Sequence, residues 1–189
     1  EFKSIIHLEE EYLKNKDAYI ATGSNNSARY FEYYFGKYPH LIRKNRNSAA
    51  VLHGNEHSSS LKLLADDIFS FFGLGCRNVS KIFLPESFQI TQLLPYFEHY
   101  SYLKNHNKYA NNYEYYKSIY LVNLIKIFDN GFLVCKEDEY YASPVGCLYF
   151  EYYDNILKLK QRLEDDREQL QCIVSNSNEI AESIGFGQT

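Results

Sequence analysis

The first hydrophobic pattern along the chain predicts a short strand followed by a helix. Residues 18–21 are mostly apolar and favour a strand, and Thr22-Gly23-Ser24 after them predicts a turn. The stretch from Asn25 to Phe35 predicts a helix, with Ser24 or Asn25 as its cap. Gly23 lets the backbone come close to a ligand at the start of this helix, where anions such as phosphates bind.

The next apolar runs predict two strands and a long amphipathic helix. Residues 41–43 and 49–52 favour strands, and the second run ends at His53-Gly54-Asn55. From Ser58 apolar residues recur at helical spacing, with residues 58–60 as cap candidates and Gly73 as the end of the helix. The apolar positions of this helix are Leu61, Leu64, Ala65, Ile68, Phe71 and Phe72.

Beyond residue 78 the pattern alternates between strand and helix. Strands are predicted at 81–84, 132–136, 145–152 and 170–174. Helices are predicted at 88–104, 113–128, 154–169 and 179–183, with a polar loop at 105–112. This alternation is typical of an α/β layered fold.

Composition narrows the classes of function. The chain has 189 residues and 45% hydrophobic residues, enough for a folded core. The formal net charge of -4 provides no basic field for a nucleic acid. No apolar run approaches the roughly 20 residues of a membrane span, and no signal peptide pattern is present, so we expect a cytoplasmic protein. The chain starts without Met and ends at residues 186–189 as if another segment followed, so we expect a piece of a longer protein.

Cys76 is the sharpest chemical feature of the sequence. Gly73 and Gly75 leave room for a substrate to approach its sulfur, and the adjacent Arg77 favours the reactive thiolate. The alternative is a small buried residue in a tight turn. The other cysteines, at 135, 147 and 172, lie in apolar strands and are expected in the core. The spacing of the four cysteines predicts neither a metal site nor a disulfide framework.

A cysteine hydrolase would also need a histidine as general base. The candidates are His53, His57, His99 and His106, and none of them has a supporting local motif. Acidic pairs such as Asp66-Asp67 are expected to be ordinary surface charge on a helix.

Several segments together carry a resemblance to a known family. They are residues 21–26, 42–48, 72–81, 129–133, 171–175 and 186–189, with Phe72-Gly73-Leu74-Gly75-Cys76-Arg77-Asn78 the most specific. These segments resemble the acyl-CoA reductases of the aldehyde dehydrogenase superfamily, the family that includes the fatty-aldehyde-forming reductase of bacterial luminescence.

The resemblance implies a fold, a reaction and a set of site residues. The fold would be a three-layer catalytic domain at residues 54–189, preceded at 1–53 by the C-terminal part of a Rossmann-like nucleotide-binding domain. Cys76 would form a thioester with the acyl group of an acyl-CoA or other acyl thioester, which NADPH would reduce to an aldehyde. Thr22, Gly23 and Ser24 would contact the cofactor, and an acyl-activating synthetase would be a partner.

The sequence also departs from the superfamily pattern. Hydrolytic relatives carry a Glu-Leu-Gly-Gly segment whose Glu activates water, and the nearest counterpart here begins with Val51. Glu56 would take the base role if the alignment slips. The first βαβ units, and the Asn that usually completes the oxyanion hole, would precede residue 1, which leaves the backbone N–H of Cys76 as the oxyanion donor.

Two other functions remain open at this point. Cys76 could carry an acyl group in an acyltransferase or thioesterase that needs no nicotinamide. The chain could instead be a non-catalytic domain that docks on an acyl-activating partner. Acyl chain length, the acyl donor and the oligomeric state, including a homo-oligomer, also stay open.

Overall fold

The computed structural model describes residues 7–10 and 12–189 and divides the chain into two compact units. The first unit is Glu1–Asn45 and the second is Arg46–Thr189. The resemblance predicts a division after residue 53, but the strand Asn47–Val51 pairs with strands of the second unit. The assignment of the units as cofactor domain and catalytic domain stays a prediction.

The first unit is the predicted βα unit with one more strand. Strand β1 (Tyr19–Gly23) leads into helix α1 (Asn25–Phe35), and strand β2 (His40–Lys44) returns parallel to β1. The bounds of α1 agree with the prediction. Ser24 is its N-cap, and the Ser24 Oγ accepts a hydrogen bond from the Ser27 N–H at 3.1 Å. This bond satisfies one of the donors that a helix start leaves free.

Aromatic side chains form the interior of this first unit. The Tyr19 ring of β1 stacks on Phe35 of α1, with ring centroids 4.2 Å apart, and lies 5.3 Å from the Tyr38 ring. Ala28 is fully buried, and its small side chain lets the helix approach the strands. Aromatic packing therefore joins α1 to the sheet.

The second unit contains a mixed sheet of six strands. They are β3 (Asn47–Val51), β4 (Val79–Pro85), β5 (Ile127–Asp129), β6 (Val134–Glu137), β7 (Cys147–Tyr153) and β8 (Leu170–Val174). The spatial order is β5-β6-β7-β4-β3-β8, and each neighbouring pair is parallel except the antiparallel pair β5 and β6.

Helices cover both faces of this sheet. They are α2 (Ser58–Phe69), α3 (Leu94–Phe97), α4 (Asn107–Val122) and α5 (Ile156–Asp165). On one face Leu64 of α2 packs in a core with Leu84 and Phe150, and on the other Leu159 of α5 packs in a core with Phe83. Alternate residues of a strand point to opposite faces, so adjacent Phe83 and Leu84 belong to different cores. The predicted three-layer α/β fold is confirmed.

The predicted boundaries between residues 88 and 128 are wrong. A single helix at 88–104 is replaced by a 3-10 turn (Ile90–Gln92), the short α3 and a 3-10 stretch (Glu98–Asn105). Pro95 lies in the first turn of α3, where it has no N–H to continue a helix that starts upstream. The predicted polar loop at 105–112 belongs largely to α4, because Tyr109 and Tyr113 are buried on that helix.

The other misplaced features are helix ends. Helix α4 stops at Val122 instead of running to 128, and residues 127–129 form β5. The helix expected at 179–183 is replaced by turns. Helix α2 is capped by His57, whose ring nitrogen accepts from the Ser59 N–H at 3.4 Å, and not by residues 58–60. No described helix is long and apolar enough to cross a membrane.

Candidate functional site

Cys76 lies in a tight turn between α2 and β4 and is exposed. The chain leaves α2 through a 3-10 turn (Ser70–Gly73) in which Phe71, Phe72 and Gly73 have φ angles of 52°, 62° and 71°. Left-handed backbone is costly for bulky residues, so it persists only where the surroundings enforce it. This segment therefore sets the direction in which the chain enters the cysteine turn.

Asn78 holds the cysteine turn from within. Its Oδ1 accepts the N–H of Gly75 at 2.8 Å, and its Nδ2 donates to the backbone carbonyl of Asp67 at 3.0 Å. The Asn78 N–H also donates to the Gly75 carbonyl at 3.0 Å. A Cβ at position 75 would come within 2.8 Å of Asn78 Oδ1, so any larger residue there would displace the Asn78 amide from its hydrogen bonds.

Ser48, at the start of β3, fixes the carbonyl side of Cys76. The Ser48 side chain is fully buried, and its hydroxyl donates to the Cys76 carbonyl at 3.0 Å. The same hydroxyl lies 2.9 Å from the sulfur of Cys172. The backbone N–H of Cys76 meets no acceptor among residues 7–10 and 12–189, so it is free to donate to a substrate oxygen.

Asp67 joins α2 to the end of the chain beside the cysteine turn. It is 2% exposed, and its carboxylate accepts from the Gly187 N–H at 2.7 Å and from Thr189 N and Oγ1 at 3.1 and 2.7 Å. The guanidinium of Arg77 donates to the Gln188 carbonyl at 3.2 Å. The prediction of surface charge is therefore wrong for Asp67, which is a buried anchor.

The four cysteines differ in environment. Cys135 and Cys147 are buried as predicted, and burial raises the pKa of both thiols, for Cys147 to about 12. Cys172 is only partly buried. Burial raises its pKa, although the Ser48 hydroxyl and the charge of Arg77 act in the opposite direction. Cys76 is the exposed cysteine, so the alternative of a buried packing residue does not fit it.

Neither the position of the superfamily Glu, occupied here by Val51, nor the candidate base Glu56 lies beside Cys76. Val51 is fully buried within β3, three residues beyond Ser48, a separation of about 10 Å along a strand. Glu56 lies beyond the far end of β3, where its carboxylate accepts from the N–H groups of His53 and Gly54. Over the part of the chain that the structure describes, no histidine ring hydrogen-bonds to Cys76.

The predicted cofactor residues lie in the first unit, at the junction of β1 and α1. A Cβ at Gly23 would come within 2.9 Å of Ser27 Cβ and 3.2 Å of the Phe31 ring, so the turn requires glycine. Thr22 and Ser24 are exposed on either side of it. The first turn of α1 carries no acidic residue that would repel a phosphate. These features fit a pyrophosphate at the helix N-terminus.

Comparison by sequence gives no relative: no protein-family model and no curated protein matches the chain. Comparison of structures finds similar proteins. An indole-3-acetaldehyde dehydrogenase complexed with NAD+ aligns with a TM-score of 0.57 and 10% identity over 88% of this chain. An aldehyde dehydrogenase of Mycobacterium tuberculosis complexed with NAD+ aligns with a TM-score of 0.58 and 11% identity over 87%. This chain has the aldehyde dehydrogenase fold.

A third similar structure binds the phosphorylated cofactor. The NADP-dependent glyceraldehyde-3-phosphate dehydrogenase of Bacillus halodurans, complexed with NADP, aligns with a TM-score of 0.55 and 14% identity over 86% of this chain. The chain spans 40–41% of the length of these three structures. At sequence identities this low, the structural similarity shows the fold alone. The expected aldehyde dehydrogenase-like fold is confirmed.

Sequence reasoning missed the residues that support Cys76. Asn78 lies inside the glycine-cysteine segment, and Ser48 ends the segment 42–48, but neither had a role assigned from its pattern. Cys172 was expected only as a core residue. Asp67 is predicted as surface charge because an acidic pair on a helix usually lies on the solvated face. Only the three-dimensional contacts identify Asn78, Ser48 and Asp67 as supports of the turn, with Cys172 beside Ser48.

Proposed function

We propose that this protein reduces an acyl thioester to an aldehyde with NADPH, through a thioester formed on Cys76. The observation that carries the proposal is the exposed Cys76 in a turn held by Ser48 and Asn78, within an aldehyde dehydrogenase fold. The substrate would be an acyl-CoA or another acyl thioester. An acyl-activating synthetase would be the partner that supplies it.

In the first step the Cys76 thiolate attacks the carbonyl carbon of the acyl thioester. The free backbone N–H of Cys76 donates to the carbonyl oxygen as negative charge develops there. The bond between the carbonyl carbon and the sulfur of CoA then breaks. CoA leaves as a thiolate and takes up the proton that Cys76 gave up, and the acyl group remains on the enzyme.

In the second step the acyl group leaves Cys76 as an aldehyde. Bound NADPH would supply the hydride that reduces the acyl carbon. Cys76 leaves as a thiolate when its carbon–sulfur bond breaks, which prepares it for the next acyl group. Thr22, Gly23 and Ser24 would hold the cofactor pyrophosphate at the start of α1, where the helix end favours an anion.

The surroundings of Cys76 favour reduction over hydrolysis. Hydrolysis of the acyl group needs a base that activates water. Val51 is apolar, and the carboxylate of Glu56 is engaged by backbone N–H groups away from the cysteine turn. An acyl group on Cys76 would therefore survive long enough to be reduced.

Mass spectrometry after exposure to octanoyl-CoA tests this function. We expect a thioester adduct on Cys76 that Cys76→Ala abolishes, while the matched control Cys172→Ala keeps it. Addition of NADPH to the full-length gene product should remove the adduct and release octanal. An adduct that persists with NADPH would favour an acyltransferase, and absence of any adduct would remove Cys76 from the mechanism.

A further inference from the structure

The segment between α2 and Cys76 presents two large apolar side chains to solvent. Phe71 is 84% exposed and Leu74 is 69% exposed. The N–H of Leu74 donates to the Phe71 carbonyl at 3.2 Å, so both residues belong to one tight turn. Solvent-exposed apolar groups gathered next to a candidate nucleophile indicate a binding surface rather than scattered surface residues.

The backbone of this turn is strained in a way that helix ends do not explain. An ordinary helix end uses one left-handed residue, as at Leu124 after α4, where the Ile125 N–H bonds back to the Tyr120 carbonyl at 2.9 Å. Here Phe71, Phe72 and Gly73 are left-handed in succession. Strain of this kind clusters at functional sites.

The strain places neighbouring phenylalanines in opposite environments. Phe72 packs against the main core, and its ring centroid lies 4.3 Å from that of His106. Phe72 thus anchors the turn. Phe71 is left outside, where it contributes nothing to the core. The fold therefore maintains a costly backbone that keeps one aromatic ring in water.

The position of Phe71 and Leu74 relative to Cys76 indicates which group they contact. Leu74 is two residues from Cys76, so their Cα atoms are at most about 7 Å apart. Gly75, the residue between them, carries no side chain. On the other side of Cys76, Arg77 is held by the Gln188 carbonyl. A long group bound to the Cys76 sulfur is therefore within reach of exposed apolar residues on the Leu74 side, and a cationic residue follows Cys76 on the other side.

We propose that Phe71 and Leu74 contact the alkyl chain of the acyl group on Cys76 and so select aliphatic acyl groups over acetyl. This inference rests on the proposed function. Each methylene group moved from water onto an apolar surface favours binding by up to about fourfold, which corresponds to about 0.8 kcal/mol. An octanoyl group should then acylate Cys76 much faster than an acetyl group does.

Two substitutions that leave the fold intact test the inference. Phe71→Asn removes the ring, and asparagine tolerates left-handed backbone. Leu74→Gln keeps a side chain of similar size at an ordinary φ of -89°. The matched control is Leu124→Asn, because Leu124 is also left-handed, at φ 55°, and 93% exposed, but follows α4.

The measurement is the rate at which octanoyl-CoA and acetyl-CoA acylate Cys76, followed by mass spectrometry on the full chain. We expect Phe71→Asn/Leu74→Gln to lower the ratio of octanoyl to acetyl rates by about tenfold or more. The acetyl rate and alkylation of Cys76 by iodoacetamide should stay unchanged, and Leu124→Asn should change none of the three.

The outcomes separate this inference from the proposed function. If both donors acylate Cys76 and the double variant leaves the rate ratio unchanged, the assignment of Phe71 and Leu74 is overturned and the reductase proposal stands. If iodoacetamide alkylates Cys76 but neither donor acylates it, the proposed function fails and the chain-binding role fails with it.

Discussion

Asn78 holds the backbone of Gly75 through a 2.8 Å hydrogen bond, one residue before the exposed cysteine. Its amide nitrogen is bonded at the same time to the carbonyl of Asp67 on α2. One buried side chain thus closes a loop of backbone around the strained segment and the turn that follows it. Asn78 and Ser48 together set the orientation of Cys76 by holding the backbone on either side of it.

Substitution Asn78→Ala should slow the chemistry at Cys76 as well as destabilise the protein. Loss of both bonds leaves a buried donor or acceptor unsatisfied, at a cost of about 1–3 kcal/mol in unfolding free energy. Acylation by octanoyl-CoA should fall about tenfold or more, because small misplacements of a reacting group are costly. Urea unfolding and adduct kinetics measure the two effects. Asn112→Ala, which removes an exposed 2.8 Å bond to Lys108, should change neither.

Substitution Asp67→Asn should release the end of the chain. The carboxylate accepts from Gly187 and Thr189, whereas an amide would turn a donor toward some of these N–H groups. We expect a loss of about 2 kcal/mol in unfolding free energy and faster hydrogen exchange at both residues. The neighbouring Asp66→Asn, which leaves the Asp67 carboxylate in place, serves as the control. Equal exchange in the two variants would contradict the anchoring role of Asp67.

Substitution Ser48→Ala should make Cys172 less reactive. The Ser48 hydroxyl lies 2.9 Å from the Cys172 sulfur and lowers the pKa of that thiol, which burial otherwise raises. Without the hydroxyl the pKa should rise further, so less thiolate is present at a given pH. Alkylation of Cys172 against pH, in a Cys76→Ala background, measures the shift. Ser143→Ala, which removes a 2.9 Å bond to the Cys147 carbonyl, should leave the profile in place.

Glu151 should contribute stability that depends on pH. It pairs at 2.8 Å with Lys81, which is fully buried, and it also contacts Arg162. Burial acts to raise the pKa of Glu151, but these two cations outweigh it and hold the pKa below the ordinary 4.5. Because the folded-state pKa is the lower one, this stabilisation is present above pH 4.5 and is lost as the pH falls through the folded-state value.

Substitution Glu151→Gln should therefore cost about 3 kcal/mol in unfolding free energy at pH 7, since it leaves Lys81 buried without its counter-charge. Lys81→Met should cost less, because Glu151 keeps Arg162. The gap between Glu151→Gln and the native chain should narrow in urea titrations below pH 4.5. A gap that stays constant with pH would contradict the role of the charged carboxylate.

Substitution Gly23→Ala should distort the turn before α1 and weaken NADPH binding. The added Cβ would lie 2.9 Å from Ser27 Cβ and close to the Phe31 ring. Gly185→Ala is the matched control, because its added Cβ would first meet the end of the flexible Gln188 side chain, at 3.3 Å. Cofactor fluorescence titration compares the two. Equal affinity in both variants would argue against a cofactor at this turn.

Local sequence patterns predicted the helices and strands whose ends are set by neighbouring residues. Helix α1 and strand β8 have the expected bounds, because a capped helix and a short apolar run are visible in neighbouring residues. The secondary structure of residues 88–128 could not be predicted from local patterns. There the buried tyrosines of α4 lie among asparagines and lysines, so burial depends on partners far away in sequence.

Hydrophobic periodicity predicts the α/β class, and a glycine-flanked cysteine singles out Cys76, because both patterns are visible within a few residues. The residues that hold this cysteine in place come together only in the folded chain. Ser48 is 28 residues from Cys76, and Asp67 is 122 residues from Thr189. Contacts over such separations form only when the sheet and α2 pack together, and no local pattern encodes them.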